Sequence, residues 1–243
     1  MDLSLYLQAV RDLAQDADEV LADLKLKKAQ RGYNVHNYAL PAYEAFLQKY
    51  YATPEPRVVV IAMNPGKFGA VQTGIAFTDW PRGLEFLPDL DKLVARPAGL
   101  PNANREQSGR RVYGWGLKRF GSYEAFFREV LVIMTCPLAV LEGEGTRANN
   151  VPLDLLPRKE GQKCLDLIVR HAPKLLAAAQ PRGLLLMGAY AEGVWQALQE
   201  RGVAPPLPVA RALHPAAHLP DPEWIADADR AWKKLAKATV RRP

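Results

Sequence analysis

Arg57-Val58-Val59-Val60-Ile61, running straight into Ala62-Met63-Asn64-Pro65-Gly66-Lys67-Phe68-Gly69, is the stretch on which the fold turns. A β-branched run ending in a Pro/Gly turn predicts a buried parallel strand that opens into a loop at its carboxyl end. In open α/β sheets that edge is where ligands bind. Pro65 fixes one backbone angle, and Gly66 and Gly69 let the main chain approach a flat ligand. Asn64 stands at the mouth with an amide that both donates and accepts. The loop continues as Gln72-Thr73-Gly74-Ile75-Ala76-Phe77-Thr78-Asp79, adding a second glycine turn and an aromatic face.

Outward from this stretch, strands and helices alternate. Leucines and alanines at helical spacing predict a helix over about residues 3–27, and a second is expected at 41–51. Trp80 to Asn104 is Pro-rich and reads as irregular, with a short helix near Leu90. Tyr123 to Arg128 reads as helix, Val130 to Met134 as a buried strand, and Asp154 to Ala179 as a long helical region. Gly183 to Met187 predicts a third strand, Ala191 to Arg201 a helix, Val209 to Leu213 a fourth strand, and Glu223 to Thr239 a closing helix. This order predicts an α/β fold: one domain over 1–243, a mostly parallel four-stranded sheet flanked by helices, and residues 1–30 as an N-terminal helical extension. The loops after 62, 135 and 213 then share one sheet edge.

Composition fits that picture. The chain has 243 residues, 49% of them apolar, enough for one substantial core, and carries a net charge of +6. A basic surface suits a polyanion. Arg105, Arg110, Arg111, Lys118 and Arg119 form a basic cluster interleaved with Tyr113, Trp115 and Phe120, the pattern of a groove for single-stranded nucleic acid. The two cysteines, Cys136 and Cys164, have no metal-ligand spacing and read as reduced thiols. His36 and His171 read as surface or packed residues. No signal segment and no membrane span are expected, and a cytosolic location follows. A small-nucleotide site of the Gly-x-Gly-x-x-Gly or Walker type has no support in the sequence.

The string Met63 to Gly66, Phe68-Gly69, Gln72 to Gly74 and Phe77 closely resembles the motif of the single-strand-selective monofunctional uracil-DNA glycosylases, a branch of the uracil-DNA glycosylase superfamily. Tyr33-Asn34-Val35-His36-Asn37-Tyr38-Ala39 is similar to the family's upstream Tyr-Asn-Pro…Tyr-Ala segment. Ser108-Gly109-Arg110-Arg111-Val112-Tyr113-Gly114 resembles its Ser-Gly-x-Arg-x-x-Gly element, Cys136-Pro137-Leu138 its Cys-Pro-Leu strand end, and His214-Pro215 the start of its second catalytic motif. The resemblance spans roughly residues 33–239, and Phe77-Thr78-Asp79 resembles a variant found in a bacterial sub-branch. Two cysteines are too few for the iron–sulfur branches of the superfamily.

The resemblance implies a monofunctional enzyme that hydrolyses the N-glycosidic bond of uracil or 5-modified uracil in DNA, acting as a monomer without metal or cofactor. Asn64 and His214 are the expected catalytic pair. A neutral amide cannot take a proton as a carboxylate does, so Asn64 is expected to hold the attacking water, and His214 to donate to the base oxygen. Phe77 is the expected stacking platform, with Met63, Gly66 and Phe68 around the base. Arg110 and Arg111 are the expected DNA contacts. This chain departs from the family twice. An asparagine that reads the base edge two residues before Cys-Pro-Leu is replaced by Met134, with Thr135 next to it. Beyond His214-Pro215, the family's Ser-Pro-Arg-Asn-Pro becomes Ala216-Ala217-His218-Leu219-Pro220, leaving His218 and Leu219 as the expected wedge into the DNA stack. Met134, Thr135 and an asparagine of the Asn149-Asn150 pair stay open as base readers. Two alternatives stay open as well: a broader deaminated-base (xanthine) glycosylase, and a catalytically weak damage-binding protein.

Overall fold

The computed structural model describes residues 1–62, 64–97, 100 and 106–240. Helices α1 (Leu3–Asp23) and α2 (His36–Tyr51) flank strand β1 (Gln30–Asn34), and β2 (Val58–Ile61) follows. Three short helices come next, α3 (Ala70–Thr73), α4 (Trp80–Phe86) and α5 (Leu90–Leu93). Helices α6 (Gln107–Phe120) and α7 (Tyr123–Glu129) lead into β3 (Val130–Ile133), and the hairpin β4 (Leu138–Glu142) and β5 (Asn149–Val151) precedes α8 (Arg158–Ala179). The chain closes as β6 (Gly183–Met187), α9 (Ala189–Glu200), β7 (Val209–Ala212) and α10 (Asp221–Val240).

The four-stranded sheet runs β3-β2-β6-β7, parallel throughout, as its apolar runs predict. Strands β2, β3 and β6 are buried along their whole length, which is why they read as unbroken apolar runs rather than alternating ones. From β2 the chain turns to one side to make β3, then crosses to the other side to make β6. The carboxyl ends of β2 and β6 therefore flank the switch point, the crevice where ligands bind in such sheets. The loop bearing Asn64 leaves β2 there.

A second sheet, β1-β4-β5, is antiparallel and was not predicted. Strand β1 reads Gln-Arg-Gly-Tyr-Asn, without a β-branched residue, and β5 is only three residues long, so neither carries a periodic signal. Helix α1 starts on the Asp2 cap, whose Oδ1 accepts from the Leu5 amide at 3.0 Å, and ends at Asp23. It packs on α8 with Leu13 and Ala17 fully buried, so the N-terminal helix belongs to the core. Helix α2 starts at His36 and carries Pro41 inside it, whereas proline's preference for a first turn moved the expected start to 41.

Helix α6 was also missed, because Gly109, Gly114 and Gly116 depress its propensity. Packing overrides that deficit. Phe86 of α4 meets Tyr113 at 5.3 Å and Tyr123 at 5.0 Å between ring centroids, while Trp115 meets Trp232 of α10 at 5.8 Å. Tyr113 and Trp115 are thus core residues holding α6 in place, which corrects the expectation that they line a nucleic-acid groove. Phe120 packs on the same core.

Candidate active site

The loops after β2 and β7 and the start of α6 enclose a cavity of about 260 Å³ at the carboxyl edge of the sheet. That is smaller than the roughly 300–1,000 Å³ of sites for drug-sized ligands, and suits one planar ring. Asn64, Phe68, Phe77, Met134 and His214 all line it. A larger cleft of about 700 Å³ touches Val58, Glu129 and Arg182, at the opposite ends of the strands; Trp115, Lys118, Arg119 and Phe120 of the basic cluster line it, but none of the expected catalytic or base-binding residues does. Asn64 is 7% exposed, and its Oδ1 has no hydrogen-bond partner among the described residues. A buried amide oxygen without a partner is costly unless a water or ligand completes it. Asn64 therefore faces the cavity with an acceptor to spare.

His214 follows β7, and α10 fixes the residue before it from both sides. The Leu213 amide donates to Asp227 Oδ2 at 2.8 Å, and Trp224 Nε1 donates to the Leu213 carbonyl at 3.0 Å. Gly188, at the end of β6, has a φ of 89°, and a Cβ there would lie 2.7 Å from the Cβ of His214. Only glycine serves here, and its bareness lets the histidine lie over the end of β6. The Ala216 amide donates to His214 Nδ1 at 3.1 Å. A backbone N–H only donates, so Nδ1 must be the bare nitrogen of the neutral ring and Nε2 carries the proton. Burial lowers the imidazole pKa below its ordinary value, favouring that neutral form.

Arg111 holds the loop beyond His214. It is buried, and its guanidinium donates to the carbonyls of Pro215, Ala217 and Leu219 at 2.9, 2.8 and 2.6 Å. Its Nε donates to Asp221 at 2.8 Å, and Arg110 reaches the same carboxylate at 2.6 Å. These two arginines, mainly through hydrogen bonds, hold the Asp221 carboxyl below its usual pKa. Arg111 is thus corrected from a DNA contact to an internal brace, since its donors are spent on the loop. Arg110 keeps an exposed side chain but is paired with Asp221. Leu219 is half-buried and packs against the core, while His218 is exposed on the loop.

Phe77 has a φ of 58°, unusual for a bulky residue and a mark of a constrained functional loop. Thr78 Oγ1 lies 2.8 Å from Tyr113 Oη, which also donates to the Ala76 carbonyl at 2.9 Å. Helix α6 presses on the same turn, for a Cβ on Gly109 would fall 1.9 Å from the Phe77 carbonyl oxygen. On the facing side, the Lys67 amide donates to Asn150 Oδ1 at 3.0 Å and Lys67 Nζ donates to the Ala148 carbonyl. The second sheet thereby brings Asn150 into the cavity wall. Met134, in the loop just past β3, is in that wall too, whereas the neighbouring Thr135 is buried with a hydroxyl that has no partner among the described residues. Gly66 lines the cavity, and Met63 lies outside the described residues.

A rat protein named as a single-strand selective monofunctional uracil-DNA glycosylase is 30% identical over 224 residues, covering 86% of this chain and 74% of the rat protein. The chain belongs to that family. The bovine protein of the same name is 28% identical over 220 residues, 84% of this chain and 74% of the relative. A crystal structure described as wild-type SMUG2 of Pedobacter heparinus aligns with a TM-score of 0.67 at 22% identity, covering 93% of this chain and 98% of that one, and bears out the fold. No family model matches the chain.

Within this uracil-DNA glycosylase family member, Glu106 is the site residue that sequence reasoning missed. It precedes α6 as its N-cap and lines the cavity. A Cβ on Gly69 would lie 2.9 Å from its Oε2, so Gly69 makes room for this carboxyl rather than for a ligand. The signal was an acidic residue two positions before the Ser108-Gly109 motif. His36 is buried against Tyr43, its ring 5.5 Å away, and desolvation lowers its pKa to about 4; His171 Nε2 lies 2.8 Å from Asp16. Both are packed residues away from the cavity. Among the described residues no group of three His, Cys, Asp or Glu side chains is placed to hold a metal ion.

Proposed function

We propose that this chain hydrolyses the N-glycosidic bond of uracil in DNA, releasing the base and leaving an abasic site in an intact strand. One observation carries the chemistry: His214 and Asn64 line the same cavity, and the Ala216 amide on Nδ1 leaves Nε2 as the nitrogen that carries the donor hydrogen. In the reaction a water oxygen bonds to the sugar C1′ while the C1′–N bond breaks and its electron pair leaves with the base; the water's extra proton passes to solvent, from which the departed base anion regains one. Positive charge grows on the sugar and negative charge on the base oxygens. A donor aimed at that oxygen is worth about 10²–10³ in rate when preorganised. A neutral imidazole donates without protonating the base outright, and Asn64 Oδ1 accepts from the water and lines it up.

The bond is hidden in duplex DNA, so the nucleotide must be unstacked and turned into the cavity, at a cost of a few kcal/mol that is smallest in single strands. The small volume of the cavity supports entry by one base only. Phe77 is the stacking face, and exposed His218 is the residue left to enter the stack. A preference for single strands is supported by the relatives' names and by the missing arginine in this loop. We also propose that the enzyme acts as a cytosolic monomer and draws on no metal or cofactor. The xanthine-directed and binding-only readings are not favoured, because the relatives are named for uracil and both catalytic groups share one cavity.

Incubation with single-stranded oligonucleotides bearing one uracil tests this directly. Free uracil should appear in EDTA, and strand breaks only after alkali. A borohydride-trapped covalent adduct, or activity lost in EDTA, would contradict it.

A further inference from the structure

We propose that Glu106 reads the polar edge of the bound base, its carboxyl presenting the donor-and-acceptor pair that Met134 lacks. The inference deepens the glycosylase reading and rests on it. Uracil offers an N–H flanked by two carbonyls, so a pocket that recognises it must supply an acceptor and a donor side by side. Met134 supplies neither. Several other polar atoms on the wall are committed. Asn150 Oδ1 accepts from Lys67, Lys67 Nζ is on the Ala148 carbonyl, and His214 Nδ1 accepts from Ala216. Asn64 and His214 Nε2 belong to the water and the leaving oxygen.

Glu106 is placed for the task. Its Oε1 accepts from the Ser108 amide at 3.3 Å, which fixes the carboxyl as the cap of α6. Its Oε2 lies in a niche of three motif glycines. Added Cβ atoms on Gly66 and Gly69 would stand 3.3 and 2.9 Å from Oε2, and one on Gly109 3.3 Å from Cγ. No Lys or Arg pairs with it among the described residues. Burial raises its pKa, and the negative Asp79 adds to that, with the Ser108 hydrogen bonds opposing. A protonated carboxyl has a hydroxyl donor beside a carbonyl acceptor, the same pair that a carboxamide offers.

The test uses the full chain and compares wild type with Glu106→Gln, Glu106→Ala and Glu106→Ser. Single-turnover rates are measured on single-stranded oligonucleotides with one uracil or one xanthine, and free uracil binding by calorimetry. Gln keeps the donor–acceptor pair and should stay within a few-fold of wild type in rate, uracil affinity and base preference. Ala and Ser should both lose about tenfold or more in uracil rate and affinity, with a smaller loss on xanthine. Ser still caps the helix, so its loss separates recognition from capping. Wild-type behaviour of the Ser variant, no rescue by Gln, or equal losses on both bases would overturn the proposal. If wild type binds uracil through Glu106 yet releases no base from any strand, the glycosylase reading fails while base recognition stands.

Discussion

Arg111 and Pro215, 104 residues apart in the chain, are joined by a buried hydrogen bond of 2.9 Å from guanidinium to carbonyl. With the bonds to Ala217 and Leu219 it makes α6 the support of the loop that presents His214. The Ser-Gly-x-Arg element thus braces the loop that follows His214.

Arg111→Ala strips donors from three buried or half-buried carbonyls, each worth about 1–3 kcal/mol when left unpaired. Single-turnover uracil release should fall about ten- to a hundredfold, and Arg111→Lys should not restore it, since an ammonium cannot span the three carbonyls. The slope of log K against log salt for single strands, about −0.7 per phosphate neutralised, should be unchanged. A shallower slope would return Arg111 to the DNA-binding surface.

Gly109→Ala should be more damaging than an ordinary glycine replacement in a helix, which typically gains about 1 kcal/mol from propensity. The new Cβ meets the Phe77 carbonyl at 1.9 Å, so the stacking residue or α6 must move. A lower melting temperature together with a loss of turnover is expected. A variant as stable and active as wild type would show that the Phe77 turn is not held by this contact.

The His214 pKa, lowered by burial, sets the acid limb of the rate. The neutral ring is the donor, so turnover should be flat through neutrality and fall only below the ordinary histidine value of about 6.5. Single-turnover rates from pH 4 to 9 check this, and a rate that climbs as pH drops through 6 would assign the work to the charged ring.

Met134 faces the cavity and Thr135 does not, so Met134→Asn should raise uracil activity relative to xanthine, while Thr135→Ala leaves base preference alone. A change of preference in the threonine variant alone would mean that the loop after β3 turns Thr135, not Met134, to the base.

Much of this was legible before the structure. Val58–Ile61, Val130–Ile133 and Gly183–Met187 are unbroken apolar runs, which fixes a buried parallel sheet, and three loops at one edge follow from it. Asn64 and His214 could be named because each stands at a strand end within a motif that resembles the family's. The rest depended on tertiary contacts. Arg111 and Tyr113 sit in a polar, glycine-rich stretch whose helix forms only when packed, so charge and aromatic interleaving resembled a groove. Glu106 gave no periodic signal, and its meaning comes from the glycines that surround it. Asn150 reaches the cavity through a three-residue strand too short to read.

The central claim is that Asn64 and His214 act together in one cavity on the glycosidic bond. Single-turnover uracil release by Asn64→Ala and His214→Ala, measured beside their affinity for the same oligonucleotide, tests it most directly. Each rate should fall by about two orders of magnitude or more with affinity held within a few-fold, because both groups act mainly in the transition state. Near wild-type release by either variant would contradict the account.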